Sequence, residues 1–301
     1  MSACIKMITS IGHQDSFLKE NCWEHLVPLT NETEVISPDY KSYIPPASLR
    51  RFSPVLRMAL TAAQVCQNSV EQPFDAISVG TSLGCLRDTE KFLQTFITAT
   101  GDTLSPTAFI QSTHNTIAGA ISMALGNHSY NMTHTQNSLS FETALMDGLL
   151  CIAEGKENVL VGAADEAIDF LNELKPTVIS SDLPFTSGAT FMVLQPQSNT
   201  NSGKTIVDCV VYFNQDIENC IDQFLANNRV DKSAVELVLN AGNIPSNIGQ
   251  KQIEYQQYTG LYYSSSAFAM HLANDFNLSE GNYALIVNHQ QEGKLGLTLL
   301  Q

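Results

Sequence analysis

The sequence predicts an α/β fold made of two similar halves joined by a short polar linker. Short apolar strands alternate with amphipathic helices both before and after residues 196–203. That segment contains Pro196 and Gly203 and no large apolar side chain, as is typical of a linker. Strands that alternate with helices usually form buried sheets covered by helices. We therefore expect an N-terminal half at residues 1–195 and a C-terminal half at residues 204–301.

The composition of the chain narrows the classes of function. A chain of 301 residues, 44% of them hydrophobic, can bury a large core. Its net charge of −15 argues against nucleic acids and anionic membranes as partners, because both bind basic surfaces. The seven cysteines lack CxxC spacing, which predicts free thiols in a reducing compartment. Met1–Gly12 lacks the apolar core of a signal peptide, and no apolar run approaches the roughly 20 residues that span a bilayer. We expect a cytoplasmic protein that does not insert into membranes.

The first hundred residues are predicted to contain two strands and two helices. Cys4–Ile11 has the composition of a strand, and Ser48–Val65 has one apolar stripe at helical spacing. The strand Phe74–Gly80 enters a glycine-rich turn, GTSLGC, and a helix follows through Phe96. Such a turn can seat an anion, but two glycines more often mark a tight strand–helix connection. We interpret Cys85, at the start of that helix, as a packed structural thiol.

Residues 105–166 carry the most regular pattern in the chain. The predicted elements are a helix from Pro106 that ends at Gly126, a strand His128–Gln136, a helix from Ser140 that ends at Gly155, and an apolar strand from Asn158. Between that first strand and the second helix lies a sharp turn of small residues, called the elbow below. Enzymes often place a nucleophile at such a turn, because the helix N-terminus stabilises negative charge. The residue at the elbow is Ser138, although a serine there is also a common helix cap.

The rest of the chain continues the alternation with weaker signals. Phe170–Pro184 is predicted to be irregular. Beyond the linker, the predicted strands are Thr205–Phe213, Val235–Asn240, Tyr262–Ser265, Tyr283–Asn288 and Leu295–Leu300, and the predicted helices are Ile217–Ala226, Gln250–Tyr255 and Ala267–Phe276. The last two strands should form a hairpin.

Several motifs within residues 43–166 occur in the order found in one known family. They are Ser105-Pro-Thr, Asn115-Thr-Ile-Ala-Gly119, the strand that enters the elbow, Glu154-Gly155, and Val159-Leu-Val-Gly-Ala-Ala-Asp-Glu166. Together they resemble the nucleophile region of β-ketoacyl synthases, the decarboxylating condensing enzymes with a thiolase-type fold. The segments YIPP, FIQSTHNT, YNMT and SFETALMDG are similar to the compact synthase-like subunits of aryl polyene and flexirubin pathways.

This resemblance implies a five-layered α-β-α-β-α sandwich and a catalytic set of one cysteine, two histidines and one lysine. In this chain the cysteine position holds Ser138, the first histidine position holds Ala241, and the lysine position holds Ser266. Only the second histidine has a counterpart, His271. The Gly-Phe-Gly-Gly loop that gates the family's acyl pocket is replaced by His289–Gly293. We therefore expect no condensation by this chain alone, and no cofactor.

The three histidines within residues 105–166 are candidate metal ligands, but their spacing does not support a metal site. His114, His128 and His134 lack helical i,i+4 spacing, and no carboxylate or thiol set completes a ligand group. We predict that no metal binds. We expect the strand that carries His134 to be deeply buried, with this histidine hydrogen-bonded in the core or in an interface.

The resemblance also implies a partner. In the family's dimers, the strand before the elbow pairs antiparallel across a two-fold axis, and each protomer lends residues to its neighbour's acyl tunnel. The implied interface residues are His128, Tyr130, Met132, His134 and Gln136. The implied tunnel residues are Phe109, Ile110, Thr113 and Thr116, with the bulky Phe109 as the floor that sets chain length. We expect a chain-length factor that forms a heterodimer with a cysteine-containing β-ketoacyl-ACP synthase and meets acyl carrier protein through that complex.

Two other functions stay open on the sequence alone. Ser138 and His271 could form an acyl-transferring or condensing site, although no orienting acid is identifiable. Alternatively, the chain is a homodimeric scaffold with no enzymatic partner. Covalent acylation of Ser138 would identify the first, and a failure to co-purify with a synthase would identify the second.

Overall fold

The computed structural model describes residues 3–30, 33–99, 105–178, 181–197, 203–242, 244–245 and 247–301. Its strands are β1 (Ala3–Ile11), β2 (Ala76–Gly80), β3 (Tyr130–His134), β4 (Val159–Asp165), β5 (Gly188–Pro196), β6 (Thr205–Phe213), β7 (Val235–Ala241), β8 (Lys251–Glu254), β9 (Tyr283–Asn288) and β10 (Lys294–Leu300). Its helices are α1 (Pro46–Leu49), α2 (Pro54–Asn68), α3 (Leu86–Thr98), α4 (Pro106–Gln111), α5 (Thr116–Leu125), α6 (Ser140–Ala153), α7 (Asp169–Val178), α8 (Ile217–Asn227), α9 (Gln256–Thr259) and α10 (Ser266–Asp275).

The strand order repeats between the two parts of the chain. The hydrogen-bonded order is β3-β2-β4-β5-β1-β6-β10-β9-β7-β8. Read from each edge inward, both parts have two parallel pairings followed by two antiparallel ones. A short antiparallel pairing of β1 with β6 joins them. The repeated order fits the two predicted halves, while the linker bounds at residues 196–203 stay a prediction, since residues 198–202 lie outside the described chain.

The helices form layers around the strands. Helices α6 and α10 contact strands of both parts, so they form a shared central layer, and a large buried core surrounds them. Helices α2 and α5 cover the outer face of the first part over a second core. Helix α8 covers the outer face of the second part over a third core. This mixed α/β arrangement confirms the predicted fold class.

Two predicted helices are each broken in two. The helix expected at Ser48–Val65 is interrupted between α1 and α2, because Pro54 lacks an N–H and holds Ser53 in an extended conformation (φ −61°, ψ 162°). The helix expected from Pro106 to Gly126 is interrupted between α4 and α5. There the hydroxyl groups of Ser112 and Thr113 donate to the carbonyls of the last turn of α4, which ends it.

Three predictions beyond residue 169 are wrong. Residues 170–184 are not irregular throughout, because α7 covers residues 170–178. The expected helix Gln250–Tyr255 is instead β8, a short exposed strand that is held by parallel pairing with β7 rather than by its own propensity. The expected strand Tyr262–Ser265 is a turn that leads into α10.

The strand that enters the elbow is also shorter and more exposed than predicted. Strand β3 covers five residues, lies at one edge of the sheet and pairs only with β2 among the described strands. His134 is therefore partly exposed and not deeply buried, since no other described strand pairs with the outer edge of β3. No helix in the described part of the chain combines the length and the apolar character needed to cross a membrane.

Candidate functional site

The elbow is a strained turn between β3 and α6. Asn137 has a φ of 53°, in the left-handed region that asparagine tolerates better than most residues. The Ser140 hydroxyl ties the turn together, since it accepts from the Gln136 N–H at 2.9 Å and donates to the Asn137 carbonyl at 2.7 Å. Ser138 lies between them, fully buried, and its Oγ has no hydrogen-bond partner among the described residues. Its hydroxyl is therefore enclosed and is neither exposed to an incoming thioester nor paired with a base.

Asn288, at the end of β9, connects the elbow to the second part of the chain. Its Nδ2 donates to the Ser138 carbonyl oxygen at 2.7 Å and to Glu142 Oε1 at 2.8 Å. A third acceptor, Ser266 Oγ, lies at 3.3 Å. An amide nitrogen carries two hydrogens, so the two short contacts use both and the third is weak. Asn288 is fully buried and is the centre of this site.

Two residues that the resemblance assigns to catalytic positions also adjoin Asn288. Ala241, the last residue of β7, is the direct neighbour of Asn288 across the β7–β9 pairing. Ser266, the first residue of α10, contacts the Asn288 amide, as described above. The structure thus brings Ser138, Ala241 and Ser266 together around Asn288, and their assignment to the family's catalytic positions stays a prediction. None of the three side chains can act as a base near neutral pH.

Glu142 is the ionisable group that hydrogen-bonds to Asn288 among the described residues. It lies on the first turn of α6 and is buried. Burial raises the pKa of its carboxyl group to about 7, and the hydrogen bond from Asn288 offsets only part of that effect. Its second oxygen has no hydrogen-bond partner among the described residues. The surroundings of this carboxyl group therefore disfavour its ionised form.

His271 belongs to a different hydrogen-bond network. Its Nδ1 lies 2.8 Å from the Ser10 hydroxyl on β1, and its Nε2 lies 3.8 Å from the Cys22 sulfur. Burial lowers the pKa of this imidazole to about 4, so it is neutral at physiological pH. In the described chain, His271 shares no hydrogen-bond partner with Ser138. The Ser138–His271 pair that an acyl-transferring enzyme would need is not formed.

The segment that replaces the gating loop is anchored to its surroundings. The Gln290 side chain donates to the Tyr263 carbonyl at 3.1 Å and accepts from the Gln256 amide at 3.1 Å. A loop that must open for a substrate is usually drawn from less tightly bound segments. This connection instead closes the site on the side of residues 289–293.

The glycine-rich turn GTSLGC binds a carboxylate of the chain itself. Asp165 Oδ1 accepts from the backbone N–H groups of Ser82 and Leu83 at 2.8 and 3.0 Å. Oδ1 also accepts from the Thr81 hydroxyl at 2.9 Å, and Oδ2 accepts from the Ser264 hydroxyl at 2.7 Å. An external anion has no place there, in agreement with the interpretation as a structural turn. Cys85 is buried, and burial raises the pKa of its thiol well above the ordinary value.

The predicted tunnel residues divide into two groups. Ile110, Thr113 and Thr116 line a cavity of about 620 Å³ between α2, α4 and α5. Phe109 does not border that cavity; it is 58% exposed and packs against Phe92 of α3, with 5.6 Å between ring centroids. The segment is therefore together in space, but its largest side chain points to a different surface.

The predicted interface residues lie along the exposed edge strand. His128, Tyr130, Met132 and Gln136 are exposed, and His134 is partly buried. Asp147 of α6 accepts from the Tyr130 hydroxyl at 2.9 Å, and its other oxygen lies 3.1 Å from His134 Nε2. Burial alone would raise the pKa of Asp147, but the hydrogen bonds from His134, Ser78 and Tyr130 hold it below the ordinary value. These contacts orient the Tyr130 and His134 side chains on β3.

The described residues contain no group of three or more His, Cys, Asp or Glu side chains that could hold a metal ion.

Sequence reasoning missed Asn288 and Glu142, the two residues that organise the site. Asn288 directly precedes the segment His289–Gly293, and this position was the one sequence feature that pointed to it. Its contact with Ser138 joins residues 150 positions apart, which local patterns do not reveal. Glu142 follows the elbow by four residues, one helical turn.

Comparisons with known proteins place this geometry in a family. Residues 23–205 match the model of the N-terminal domain of β-ketoacyl synthases. No curated protein matches the sequence. The fold is similar to that of the ishigamide ketosynthase/chain length factor, at 15% identity and a TM-score of 0.78, covering 100% of this chain and 99% of that one.

The fold of the chain is also similar to two further solved structures. A β-ketoacyl synthase from Burkholderia phymatum STM815 is 12% identical with a TM-score of 0.70, and the match covers 100% of this chain and 99% of that chain. The structure of the ketosynthase ApeO in complex with its chain length factor ApeC, from Xenorhabdus doucetiae, is 17% identical with a TM-score of 0.56, over 77% of this chain and 93% of that one. These matches establish a thiolase-like ketosynthase fold. With more than half of its length matched by the family model, the chain belongs to the β-ketoacyl synthase family.

Proposed function

We propose that the protein is a non-catalytic chain-length factor that pairs with a cysteine-containing β-ketoacyl-ACP synthase. The observation that carries the proposal is the closed site around Asn288. A condensing enzyme needs a thiolate that a carrier-bound acyl group can reach, and two bases that drive decarboxylation. Here a buried serine, an alanine and a second serine occupy those positions. The loss of any one member of a catalytic set usually costs several orders of magnitude in rate.

The surface around β3 supports a partner. Strand β3 leaves one row of backbone groups unpaired among the described strands, and open sheet edges are usually covered in stable proteins. Large exposed apolar side chains lie on β3 and on the two helices packed against it: Met123, Tyr130, Met132, Met146 and Leu150. Antiparallel pairing of β3 with its counterpart would cover both edges and bury these side chains, in an interface of about 2,000 Å² or more.

The segment Ile110–Thr116 gives such a pairing a role in the product. Residues that border a shared acyl tunnel discriminate chain length by about 1–3 kcal/mol per methylene. A subunit without chemistry can therefore still set the length of the acyl or polyene product. The motifs similar to aryl polyene subunits favour aryl polyene-type biosynthesis as the pathway. Acyl carrier protein would reach the tunnel through the synthase.

The acidic charge and the buried thiols fit the remaining parts of the proposal. The cysteines of the described chain are all buried and are thiols, not disulfides, which suits a reducing cytoplasm. The net charge of −15 disfavours association between two copies and favours a less acidic partner.

Assembly tests the proposal. We would co-express the chain with a candidate cysteine-containing synthase and measure the mass of the purified species. A one-to-one heterodimer is expected. A stable homodimer that ignores the synthase would support the scaffold alternative, and covalent acylation of Ser138 by an acyl-carrier thioester would support the enzyme alternative.

A further inference from the structure

The cavity between α2, α4 and α5 is a large, mostly apolar space that the site around Asn288 does not use. Its volume is about 620 Å³, within the 300–1,000 Å³ of small-molecule sites. Its walls include Phe52, Leu56 and Leu60 on one side and Ile110 and Met123 on the other. None of its lining residues is charged, in a chain with 45 acidic or basic residues. The cavity therefore suits an uncharged, apolar occupant.

Three polar side chains of the wall are hydrogen-bonded to the chain. The hydroxyl groups of Thr113 and Thr116 donate to the Ile110 carbonyl at 2.9 and 2.6 Å. The Gln64 amide donates to Asn68 at 3.0 Å. Because the wall has no charged side chain that could pair with an ionised ligand, a hydrocarbon chain is the occupant that the lining favours.

We infer that this cavity receives the distal end of the acyl or polyene chain, so that the tunnel ends between α2 and α5 and not at Phe109. The inference rests on the proposed function and specifies the part of this subunit that sets product length. It follows from the division of the tunnel segment: Ile110, Thr113 and Thr116 border the cavity, whereas Phe109 packs outside it on Phe92. A chain that passes along this segment reaches open space behind Ile110.

Gly119 on α5 offers a way to fill the cavity from within. It lines the space, and a Cβ atom added there would meet nothing within 4 Å. Leucine or phenylalanine at this position would therefore extend into the cavity without displacing the backbone. Gly119→Ala is the matched control, because it favours the helix equally while leaving the cavity open.

The first experiment uses the full chain and parinaric acid, a conjugated tetraene fatty acid whose fluorescence rises in an apolar site. The wild type and Gly119→Ala should bind it saturably. Gly119→Leu and Gly119→Phe should bind about tenfold more weakly or worse, with unfolding temperatures no lower than that of Gly119→Ala. Equal binding by all four proteins, or no binding by the wild type, would overturn the inference. If the phenylalanine variant unfolds early, the smaller leucine variant decides.

The second experiment measures product length in the complex with the synthase. Gly119→Leu should shorten the dominant product, and Phe109→Ala should leave it unchanged. The reverse result would return the tunnel floor to Phe109 and contradict the inference. Co-purification of the synthase with each variant tests the proposed function separately from the role of the cavity. A wild-type chain that binds parinaric acid but no synthase would contradict the proposed function alone.

Discussion

The side-chain amide of Asn288 donates a 2.7 Å hydrogen bond to the backbone carbonyl of Ser138, joining the end of β9 to the elbow. The same nitrogen holds Glu142 at 2.8 Å. This one side chain therefore links the elbow and the first turn of α6 to the second part of the chain.

Asn288→Ala should destabilise the fold by about 3 kcal/mol, because it leaves a buried carbonyl and a buried carboxyl group without their donor. Asn282→Ala is the control, since Asn282 makes the same amide–carboxylate contact with Glu236 at 2.9 Å near the surface. That variant should lose about 1 kcal/mol or less. Denaturant unfolding measures both. Similar losses for the two variants would mean that Asn288 is not a structural centre.

Stability should depend on pH through Glu142. Its pKa is about 7 in the folded chain and about 4.5 in the unfolded chain, so the folded state binds the proton more tightly. Its contribution to stability is fully present below pH 4.5 and is lost as the pH rises through 7. Glu142→Gln removes this loss. The free energy of unfolding of the variant minus that of the wild type should therefore be about 2–3 kcal/mol larger at pH 8 than at pH 5.

The control for that measurement is Glu236→Gln. Hydrogen bonds from Asn282 and Ser279 hold the pKa of Glu236 below its ordinary value, so this group stays ionised from pH 5 to pH 8. The difference in the free energy of unfolding between this variant and the wild type should therefore be the same at pH 5 and at pH 8. A constant difference for Glu142→Gln as well would contradict the role assigned to the buried carboxyl group.

Ser138→Cys should restore neither condensation nor thiol reactivity. Burial raises the pKa of the native Cys66 and Cys209 thiols well above the ordinary value, and residue 138 is equally buried. A thiol there would stay protonated and would lack a base at Ala241 and Ser266. Titration with a thiol reagent before and after unfolding measures its access, with the wild type and its seven buried cysteines as reference. Rapid labelling of the folded variant would show an open site.

The elbow and the strand and helix around it could be predicted from the sequence, because local patterns specify them. The assignment of Ala241 and Ser266 to catalytic positions rests on the family resemblance and stays a prediction. Asn288 and Glu142 could not be found in this way, since their roles come from contacts between distant segments and from burial. The same limit explains β8, where pairing with β7 overrides a polar sequence that favours a helix. The separation of Phe109 from Ile110 depends on a contact with Phe92 that no spacing reveals.

Met132→Asp should prevent binding of the synthase while leaving the fold intact. Met132 lies on β3 and is 42% exposed, so a carboxylate there is solvated in the free chain but buried in the proposed interface. Phe213→Asp is the control, because Phe213 is 43% exposed on β6, at a distance from β3 in the sheet order. Co-elution on size exclusion measures both. If both variants lose synthase binding, or if neither does, the interface is not centred on β3.

The most direct test of the account is a condensation assay with an acyl-carrier and a malonyl-carrier thioester, using purified subunits. We predict product when this chain is combined with the intact synthase. We predict none from this chain alone, and none when it is combined with a synthase whose catalytic cysteine has been replaced by alanine. Product from either of these last two samples, abolished by Ser138→Ala, would contradict the claim that this subunit has no chemistry of its own.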